Sequence, residues 1–180
     1  MRILRDHTVA MMVDIQERLL PHIDRHELLE KNCRILIQGL QHLNIPLLVT
    51  EQYPKGLGPT IASLQSLLTT SLLVEKMTFS CCEVDAVTAQ LRKWNRKNVI
   101  VFGIESHVCV LQTVLDLPGL GYQPVVIEDC ISSRRASDKI TALGRIEQSG
   151  AVISSYESIL FELCRTAGTE EFKKISILVK

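Results

Sequence analysis

This chain of 180 residues has no excess of positive or negative charge, few aromatic residues and no long apolar run. Lys and Arg together number 20, as do Asp and Glu, so the formal net charge is zero, and aromatic residues make up 4%. A neutral chain without a basic run offers no electrostatic attraction to nucleic acid or to an anionic membrane. No apolar run is long enough to span a bilayer, and the first residues show no apolar export signal. We therefore expect no nucleic-acid partner and no membrane partner.

The cysteines and histidines also lack the spacings that indicate disulfides or metals. The chain contains no C-x-x-C pair, and its six cysteines lack the close, regular spacing of a disulfide framework. Without a visible export signal they are expected to be reduced thiols, in the cytoplasm or in an organelle reached by a signal that we do not recognise. The five histidines are scattered, so we predict no metal and no cofactor.

What the chain does contain is a regular alternation of short apolar runs and helical patterns. Stripes of apolar residues at helical spacing separate most of the runs, as in Leu29, Cys33 and Leu36. This alternation predicts an α/β fold, a three-layer α-β-α domain over residues 1–180 with a six-stranded parallel, Rossmann-like sheet. The tail 169–180 fits either a helix or a strand. The predicted strands are Thr8–Val13, Ile45–Thr50, Leu72–Glu75, Val99–Phe102, Val125–Ile127 and Ala151–Ile153.

Three chemically reactive side chains follow predicted strands. Asp14 directly follows the first strand, Lys76 the third, and Cys109 the fourth, after a short turn. Because the carboxyl ends of parallel strands meet at one edge of the sheet, we expect these groups to converge. Cys109 also lies where a helix begins, which favours the thiolate. A carboxylate that takes the thiol proton, a lysine charge and a sulfur nucleophile together indicate attack on a carbonyl, with N–H groups of residues 103–109 holding the oxyanion.

Each of these residues also has an ordinary structural explanation. Asp14 could cap a helix, Lys76 could be a solvated charge at a strand end, and Cys109 could be a small buried hydrophobe. Taken singly, these explanations are the better ones. Their coincidence at three strand ends favours a shared site.

The segments around these residues resemble the isochorismatase-like cysteine hydrolases. The similarity lies in Asp14-Ile-Gln16, in Glu75-Lys76 followed by Phe79-Ser80, and in the run from Gly103 to Cys109. The loop from Thr50 to Gly58 is similar to that of compact isochorismatase-domain proteins, and the resemblance extends from about Thr8 to Ser158.

The resemblance implies a catalytic triad of Asp14, Lys76 and Cys109. It also implies a cis peptide bond between Ile104 and Glu105, which directs the N–H groups of Glu105 and Cys109 at an oxyanion. Family members commonly form homo-oligomers in which a neighbouring subunit completes the pocket, so we expect at least a dimer. The apolar cluster in residues 172–179 is a further weak indication, because it must be buried against a partner or against its own domain.

Two departures from the family narrow this interpretation. Nicotinamidases of the family carry an Asp and two histidines near the end of strand two, where this chain has Thr50-Glu51-Gln52-Tyr53. Members that hydrolyse isochorismate typically lack the cysteine, which this chain keeps. The first departure predicts no metal site and argues against nicotinamidase activity, and the second favours amide-type substrates over isochorismate. Residues flanking the triad are candidate substrate-binding residues: Gln16, Tyr53, Phe79 and His107.

The leading hypothesis is therefore a cysteine hydrolase that cleaves a small-molecule amide or related C–N bond through a thioester. A non-catalytic interaction protein on the same fold is one alternative, and an occluded pocket over an intact triad would favour it. A thiol redox or peroxide-sensing protein is another, although the lack of a C-x-x-C motif argues against a thioredoxin-like role. The vicinal pair Cys81-Cys82 is interpreted as structural filler, with a redox pair as the minor alternative.

Overall fold

A single parallel sheet of six strands organises the computed structural model, which describes residues 1–69 and 71–180. All neighbouring strands run parallel, in the order β3-β2-β1-β4-β5-β6. The strands are β1 (Thr8–Val13), β2 (Leu47–Gln52), β3 (Leu72–Lys76), β4 (Asn98–Ile104), β5 (Gln123–Ser132) and β6 (Val152–Ser154). The predicted α/β fold with a six-stranded parallel sheet is confirmed.

Eight α-helices connect or follow these strands in the described part of the chain. They are α1 (His26–His42), α2 (Pro54–Leu57), α3 (Ala62–Gln65), α4 (Asp85–Trp94), α5 (Leu111–Asp116), α6 (Ala136–Gln148), α7 (Tyr156–Cys164) and α8 (Glu170–Leu178). A short π-helical turn, Ser106–Val110, precedes α5. Within the described residues, no helix combines the length and the apolar character needed to cross a bilayer.

The strand order reverses between β1 and β4, and this reversal places helices on both faces of the sheet. From β1 the chain proceeds outward to β2 and β3, then returns to β4 on the other side of β1 and continues to β5 and β6. Because such crossovers are right-handed, the helices of connections that proceed toward β3 lie on one face of the sheet. The helices of connections that proceed toward β6 lie on the other face. Accordingly α1 contacts α3, α7 and α8, whereas α5 contacts α6. The crevice where the order reverses is the usual ligand position in such sheets.

The two central strands are buried along their whole length. Every residue of β1 and of β4 is buried, which explains why Thr8–Val13 is apolar almost throughout and was predicted with its observed bounds. Helix α1 begins after Arg25, whose backbone is left-handed at φ 52° and which makes no side-chain cap. Asp24 and Glu27 therefore do not form the capping pair that their spacing suggests.

The C-terminal tail folds back onto its own domain as α8. This helix packs against α1 and α7, Ile175 is buried, and the rings of Phe161 and Phe172 lie 6.0 Å apart between centroids. Most of the apolar cluster that offered a weak indication of a partner subunit is thus covered within the chain. Ile177 is the exception and stays exposed.

Candidate active site

Asp14 and Lys76 form a fully buried ion pair at the carboxyl edge of the sheet. Lys76 Nζ lies 2.6 Å from Asp14 Oδ2, and neither side chain is exposed to solvent. The two residues are 62 positions apart, and the pair forms because β1 and β3 both end at this edge, on either side of β2. A buried ion pair is costly to desolvate and is stable only when hydrogen bonds satisfy the remaining polar atoms.

Two side chains of β2 supply those hydrogen bonds. Thr50 Oγ1 donates to Asp14 Oδ1 over 2.7 Å, and Gln52 Oε1 accepts from Lys76 Nζ over 2.7 Å. The backbone carbonyls of Thr78 and Phe79 accept from the same ammonium group at 3.2 and 3.3 Å. The ammonium group, which has three protons, therefore faces four protein acceptors and is held in place.

Sequence reasoning did not identify Thr50 and Gln52 as part of this site. They were noted only as a stretch that lacks the histidines of nicotinamidases. The signal that would have found them is the two-residue period of a strand, which points residues 50 and 52 to the same face at the edge where Asp14 and Lys76 emerge.

A glycine allows the end of β4 to approach β1. Gly103 has φ +124°, and a Cβ built on it would lie 2.1 Å from the carbonyl oxygen of Val13. Only glycine fits this position, both because of its backbone and because of the contact. The approach brings the turn that carries Cys109 beside Asp14, which itself has a left-handed backbone at φ 52°.

Cys109 lies in the π-helical turn and reaches the ion pair from the β4 side. The residue is 7% exposed. Burial raises the pKa of its thiol well above the usual value, and the charge of Asp14 and a hydrogen bond to it raise the pKa further, whereas Lys76 lowers it. The resting sulfur is therefore a neutral thiol, and it needs a base before it can attack an electrophile. The structure thus brings Asp14, Lys76 and Cys109 together at this edge of the sheet, where the sequence analysis expects them.

The pKa of Lys76 reflects the same neighbours. Burial alone would lower this pKa, but the negative charge of Asp14, followed by the ionisable thiols Cys81 and Cys109, raises it above its ordinary value. Lys76 therefore keeps its proton at neutral pH. It contributes a fixed positive charge to the site.

Cys81 is a second thiol at the site. It is fully buried, its Sγ lies 3.7 Å from Thr50 Oγ1, and its N–H donates to Thr113 Oγ1 over 3.0 Å. Burial and the charge of Asp14 raise the pKa of Cys81 to about 11. Burial and the neighbouring Cys81 raise the pKa of Cys82 to about 12. These surroundings favour two inert thiols, in line with the interpretation as structural filler.

Glu105 lies at the junction between β4 and the π-helical turn. The peptide bond from Ile104 to Glu105 is cis, as the family resemblance implied. The carbonyl of Glu105 accepts from the N–H groups of Val108 and Val110, which closes the turn. Its carboxylate accepts from the backbone N–H and from Nε of Arg134, at 3.2 and 3.1 Å, so this side chain ties the turn to the segment after β5.

The four candidate substrate-binding residues have different surroundings. Gln16 is fully buried, and its amide nitrogen donates to the carbonyls of Gln52 and Gly58 at 2.9 and 2.7 Å. Its Oε1 accepts from the N–H of Gln52 at 2.7 Å, so Gln16 fastens the loop after β2 in place. Tyr53 and Phe79, in contrast, are about half exposed.

His107 lies in the π-helical turn, two residues before Cys109. Its Nδ1 is 2.9 Å from Ser133 Oγ, and its Nε2 is 4.0 Å from Asp138 Oδ2. These contacts fix the ring against the segment between β5 and α6. Cys130 lies within β5 and is fully buried, so it does not border the cleft.

The part of the chain that the structure describes contains no group of three or more His, Cys, Asp or Glu side chains able to hold a metal ion. The carboxylate of Asp14, the amide of Gln52 and the hydroxyl of Thr50 are all engaged in the hydrogen bonds of the Asp14–Lys76 pair. The prediction that the protein needs no metal stays a prediction, which elemental analysis tests.

Comparison with known sequences identifies one family over most of the chain. The family model described as an isochorismatase domain matches residues 8–158. Isochorismatase family protein 1B of Dictyostelium discoideum is 34% identical, covering 99% of this chain and 89% of that protein. Isochorismatase domain-containing protein 1 of Danio rerio is 36% identical over 96% of this chain, which spans 61% of that longer protein. A secreted isochorismatase effector, Isc1 of Phytophthora sojae, is 37% identical, covering 99% of this chain and 87% of that protein.

Solved structures show the same fold. The MAR1 ribonuclease of Caenorhabditis elegans superposes with a TM-score of 0.94 at 34% identity, covering 99% of this chain and 92% of that one. The YcaC gene product of Escherichia coli, described as an octameric hydrolase of unknown specificity, superposes with a TM-score of 0.88 at 20% identity, covering 92% of this chain and 83% of that one. At that lower identity the likeness concerns the fold alone.

Proposed function

The chain belongs to the isochorismatase family, and we propose that it is a cysteine hydrolase that cleaves a small-molecule amide or related C–N bond. The family generally includes cysteine hydrolases such as nicotinamidase. The observation that carries the proposal is the buried contact of 2.6 Å between Asp14 and Lys76, beside the thiol of Cys109. A buried ion pair contributes little net free energy to folding, because desolvation offsets the attraction between the charges. Its presence beside a cysteine therefore favours a chemical role.

In the acylation step Asp14 acts as the general base. It takes the proton from Cys109 Sγ as the sulfur attacks the carbonyl carbon of the substrate, and the carbonyl becomes an oxyanion. The N–H groups of Glu105 and Cys109 stabilise that oxyanion. When the C–N bond breaks, Asp14 returns the proton to the leaving nitrogen, and a thioester on Cys109 remains.

In the deacylation step water replaces the amine. Asp14 takes a proton from the water as its oxygen attacks the thioester carbonyl, and the C–S bond then breaks. The product leaves as a carboxylic acid, and Cys109 regains its proton from Asp14. Lys76 keeps its own proton throughout, and its charge offsets the negative charge that develops nearby.

The positions of the flanking residues support a division of roles at the pocket. The exposed rings of Tyr53 and Phe79 are proposed to contact substrate directly. His107 is proposed to contact substrate from the π-helical turn. Gln16 is proposed to shape the pocket by fixing the loop after β2, because its amide already bonds to the backbone there.

We propose that the protein is a homo-oligomer. The support is an octameric relative by fold, YcaC, together with apolar side chains exposed next to the site, Tyr53, Met77 and Phe79. Light scattering coupled to size exclusion tests this proposal. A mass near 20.2 kDa at micromolar concentration would refute it.

The proposed compartment is the cytoplasm, and the proposed functional unit is one domain over residues 1–180. Six unpaired cysteines suit a reducing environment. One relative is a secreted effector, so fractionation of cells that express the tagged protein is the relevant test.

The experiment that tests the hydrolase proposal is detection of the thioester. The protein is incubated with a panel of small amides and quenched in acid, and the Cys109 peptide is analysed by mass spectrometry. Wild type should gain an acyl mass on Cys109, whereas Cys109→Ala should gain none and Asp14→Asn should acylate at least about 100-fold more slowly, the lower end of the range for general-base catalysis. Acylation of Cys81 or Cys82 instead, or equal acylation of Asp14→Asn, would contradict the mechanism.

Cleavage of RNA is a second candidate, favoured by the C. elegans relative, which is described as a ribonuclease and is 34% identical. The zero net charge of this chain opposes it, because phosphate backbones are bound mainly by Lys and Arg. The same protein preparations are therefore incubated with a fluorescent RNA. If wild type cleaves the RNA and neither Cys109→Ala nor Asp14→Asn does so, the triad would be assigned to RNA cleavage.

A further inference from the structure

The two faces of β2 present different chemistry at the same edge of the sheet. Thr50 and Gln52 point toward the Asp14–Lys76 pair. Glu51, between them, points to the opposite face because side chains alternate along a strand. That face is covered by the segment that contains Thr60 and α3, and α3 contacts α1. Glu51 therefore belongs to surroundings separate from the candidate active site.

Glu51 is a buried carboxylate without a cation. It is 4% exposed, and its Oε1 accepts from Thr60 N–H at 2.6 Å and from Thr60 Oγ1 at 2.8 Å. Both donors are neutral and both bind the same oxygen. Within residues 1–69 and 71–180, Oε2 accepts no hydrogen bond, and no Lys, Arg or His lies within 4.0 Å of the carboxylate. Oε2 keeps contact with solvent, because Ser106 Oγ is the one fully buried side-chain polar atom without a partner among the described residues. A cation at Oε2 would offset a charge that the described protein leaves unpaired.

A cavity of about 230 Å³ adjoins this carboxylate. Apolar side chains form one part of its wall, and polar side chains, of which Glu51 alone is charged, form the rest. The apolar residues are Val49, Leu68 and Leu73, and the polar ones are Glu51, Thr60, Gln65, Thr69 and Ser71. The carboxylate is thus the charged group of a small cavity that also has an apolar wall.

A second carboxylate strengthens the demand for positive charge. Glu75 on β3 is the register partner of Glu51, and register partners on parallel strands share a face of the sheet. Like charges directly opposite each other on neighbouring strands are destabilising. Glu75 is exposed and, in the part of the chain that the structure describes, forms no ion pair. A cation beside Glu51 would relieve this repulsion as well as the burial of Glu51.

We propose that this cavity binds a small primary alkylammonium compound. The ammonium group would donate to Glu51 Oε2, and its short alkyl chain would lie against Val49, Leu68 and Leu73. The hydroxyls of Thr69 and Ser71 and the amide of Gln65 are acceptors for its remaining protons.

A dehydrated divalent metal fits the cavity less well. Such ions need six or more oxygen ligands, or several carboxylates. The cavity has one carboxylate, and metal ions make no use of an apolar wall. The ligand class therefore follows from the combination of one charge, neutral acceptors and apolar contact. This inference does not depend on the hydrolase function.

The proposal is tested by titrating the full chain with n-butylammonium chloride and, separately, with n-butanol at pH 7.5, followed by saturation-transfer NMR of the ligand. The alcohol has the same alkyl chain but no charge. Wild type should bind butylammonium at least tenfold more tightly than butanol. Glu51→Gln should weaken butylammonium binding at least tenfold, because Gln keeps an acceptor for Thr60 but loses the charge. The matched control Glu147→Gln, which removes an exposed carboxylate from α6, should change it less than twofold.

Methyl NMR of the wild-type protein provides a readout that does not depend on a variant folding. Butylammonium should shift the methyl signals of Val49, Leu68 and Leu73. The proposal is overturned if those signals stay in place while Val108 and Val110 shift, since the amine would then occupy the candidate active site. It is also overturned if Glu51→Gln binds as wild type does, if butanol binds equally, or if millimolar MgCl₂ displaces the amine.

Discussion

Asp14 and Glu51 are two buried carboxylates on neighbouring strands, and their surroundings differ in one respect. Asp14 is paired with Lys76 at 2.6 Å and accepts from Thr50. Glu51 has only the two neutral donors of Thr60 among the described residues. Both residues are buried, but only Asp14 has its charge offset by the protein.

The comparison shows that burial alone does not assign a role to an acidic residue. An ion pair satisfied on all sides holds its members in one arrangement, which suits a base that must face a thiol. A carboxylate with one free oxygen beside a cavity is arranged instead to receive something from outside. Substitutions at the two carboxylates and at their partners should therefore differ in their effect on stability.

Removal of Lys76 should destabilise the protein most. Lys76→Met leaves Asp14 buried and charged without its cation, and loss of one member of a buried pair costs about 3–5 kcal/mol. Urea denaturation at fixed protein concentration measures this as a lower midpoint. Addition of Asp14→Asn to Lys76→Met should restore most of the lost free energy, because no buried charge remains. A double variant as unstable as Lys76→Met would mean that packing, rather than charge, makes Lys76 important.

Removal of the Thr50 hydroxyl should have the next largest effect on stability. Thr50→Val keeps the shape of the side chain but leaves Asp14 Oδ1 without its donor, which costs about 1–3 kcal/mol. The control is Thr88→Val in α4, whose hydroxyl donates to a neutral carbonyl, that of Asp85. Unfolding free energies from urea titrations should fall further for Thr50→Val than for the control. Equal losses would show that the acceptor's charge is irrelevant.

Asp14→Asn should speed up alkylation of Cys109 while it slows hydrolysis. The negative charge of Asp14 and its hydrogen bond raise the pKa of the Cys109 thiol, so their loss lowers that pKa and increases the thiolate fraction at pH 8. Limited labelling with iodoacetamide and peptide mapping should show a several-fold faster reaction at Cys109. Cys82 is the internal control, because Asp14 is not among the causes of its raised pKa. Slower labelling would mean that Asp14 activates the thiol even toward a simple alkylating agent.

Much of this site could be predicted from the sequence, because position along the chain determined it. Asp14 and Cys109 follow recognisable apolar strands, Lys76 is the last residue of another, and parallel strands end at a common edge. The bonding partners of Asp14 and Lys76 were not found, because Thr50 and Gln52 carry no charge and only the two-residue period of β2 marks them. The free oxygen of Glu51 was not found either, because it depends on where Thr60 packs.

The fold was predictable where burial is complete on both faces and less so elsewhere. β1 was predicted with its observed bounds, whereas β5 was predicted as Val125–Ile127 and observed as Gln123–Ser132. Its pairing with β4 shifts register between Val101 and Gly103, and the polar residues Glu128 and Asp129 interrupt the apolar run there. The order of the strands was not predictable from alternation alone. It depends on which strands pair.

Neutralisation of Glu51 should have the smallest effect on stability. Glu51→Gln keeps an oxygen that accepts from Thr60 and removes a charge that the described protein leaves unpaired and that faces Glu75 on β3. Because no ion pair is lost, we expect a change within about 1 kcal/mol, and a gain in stability is the expected direction. Urea denaturation beside Lys76→Met gives the direct contrast between the two carboxylates. Loss of about 3 kcal/mol or more would show that the charge of Glu51 stabilises the fold as that of a paired residue does. The cavity would then be a by-product of the Thr60 contact rather than a place for a cation.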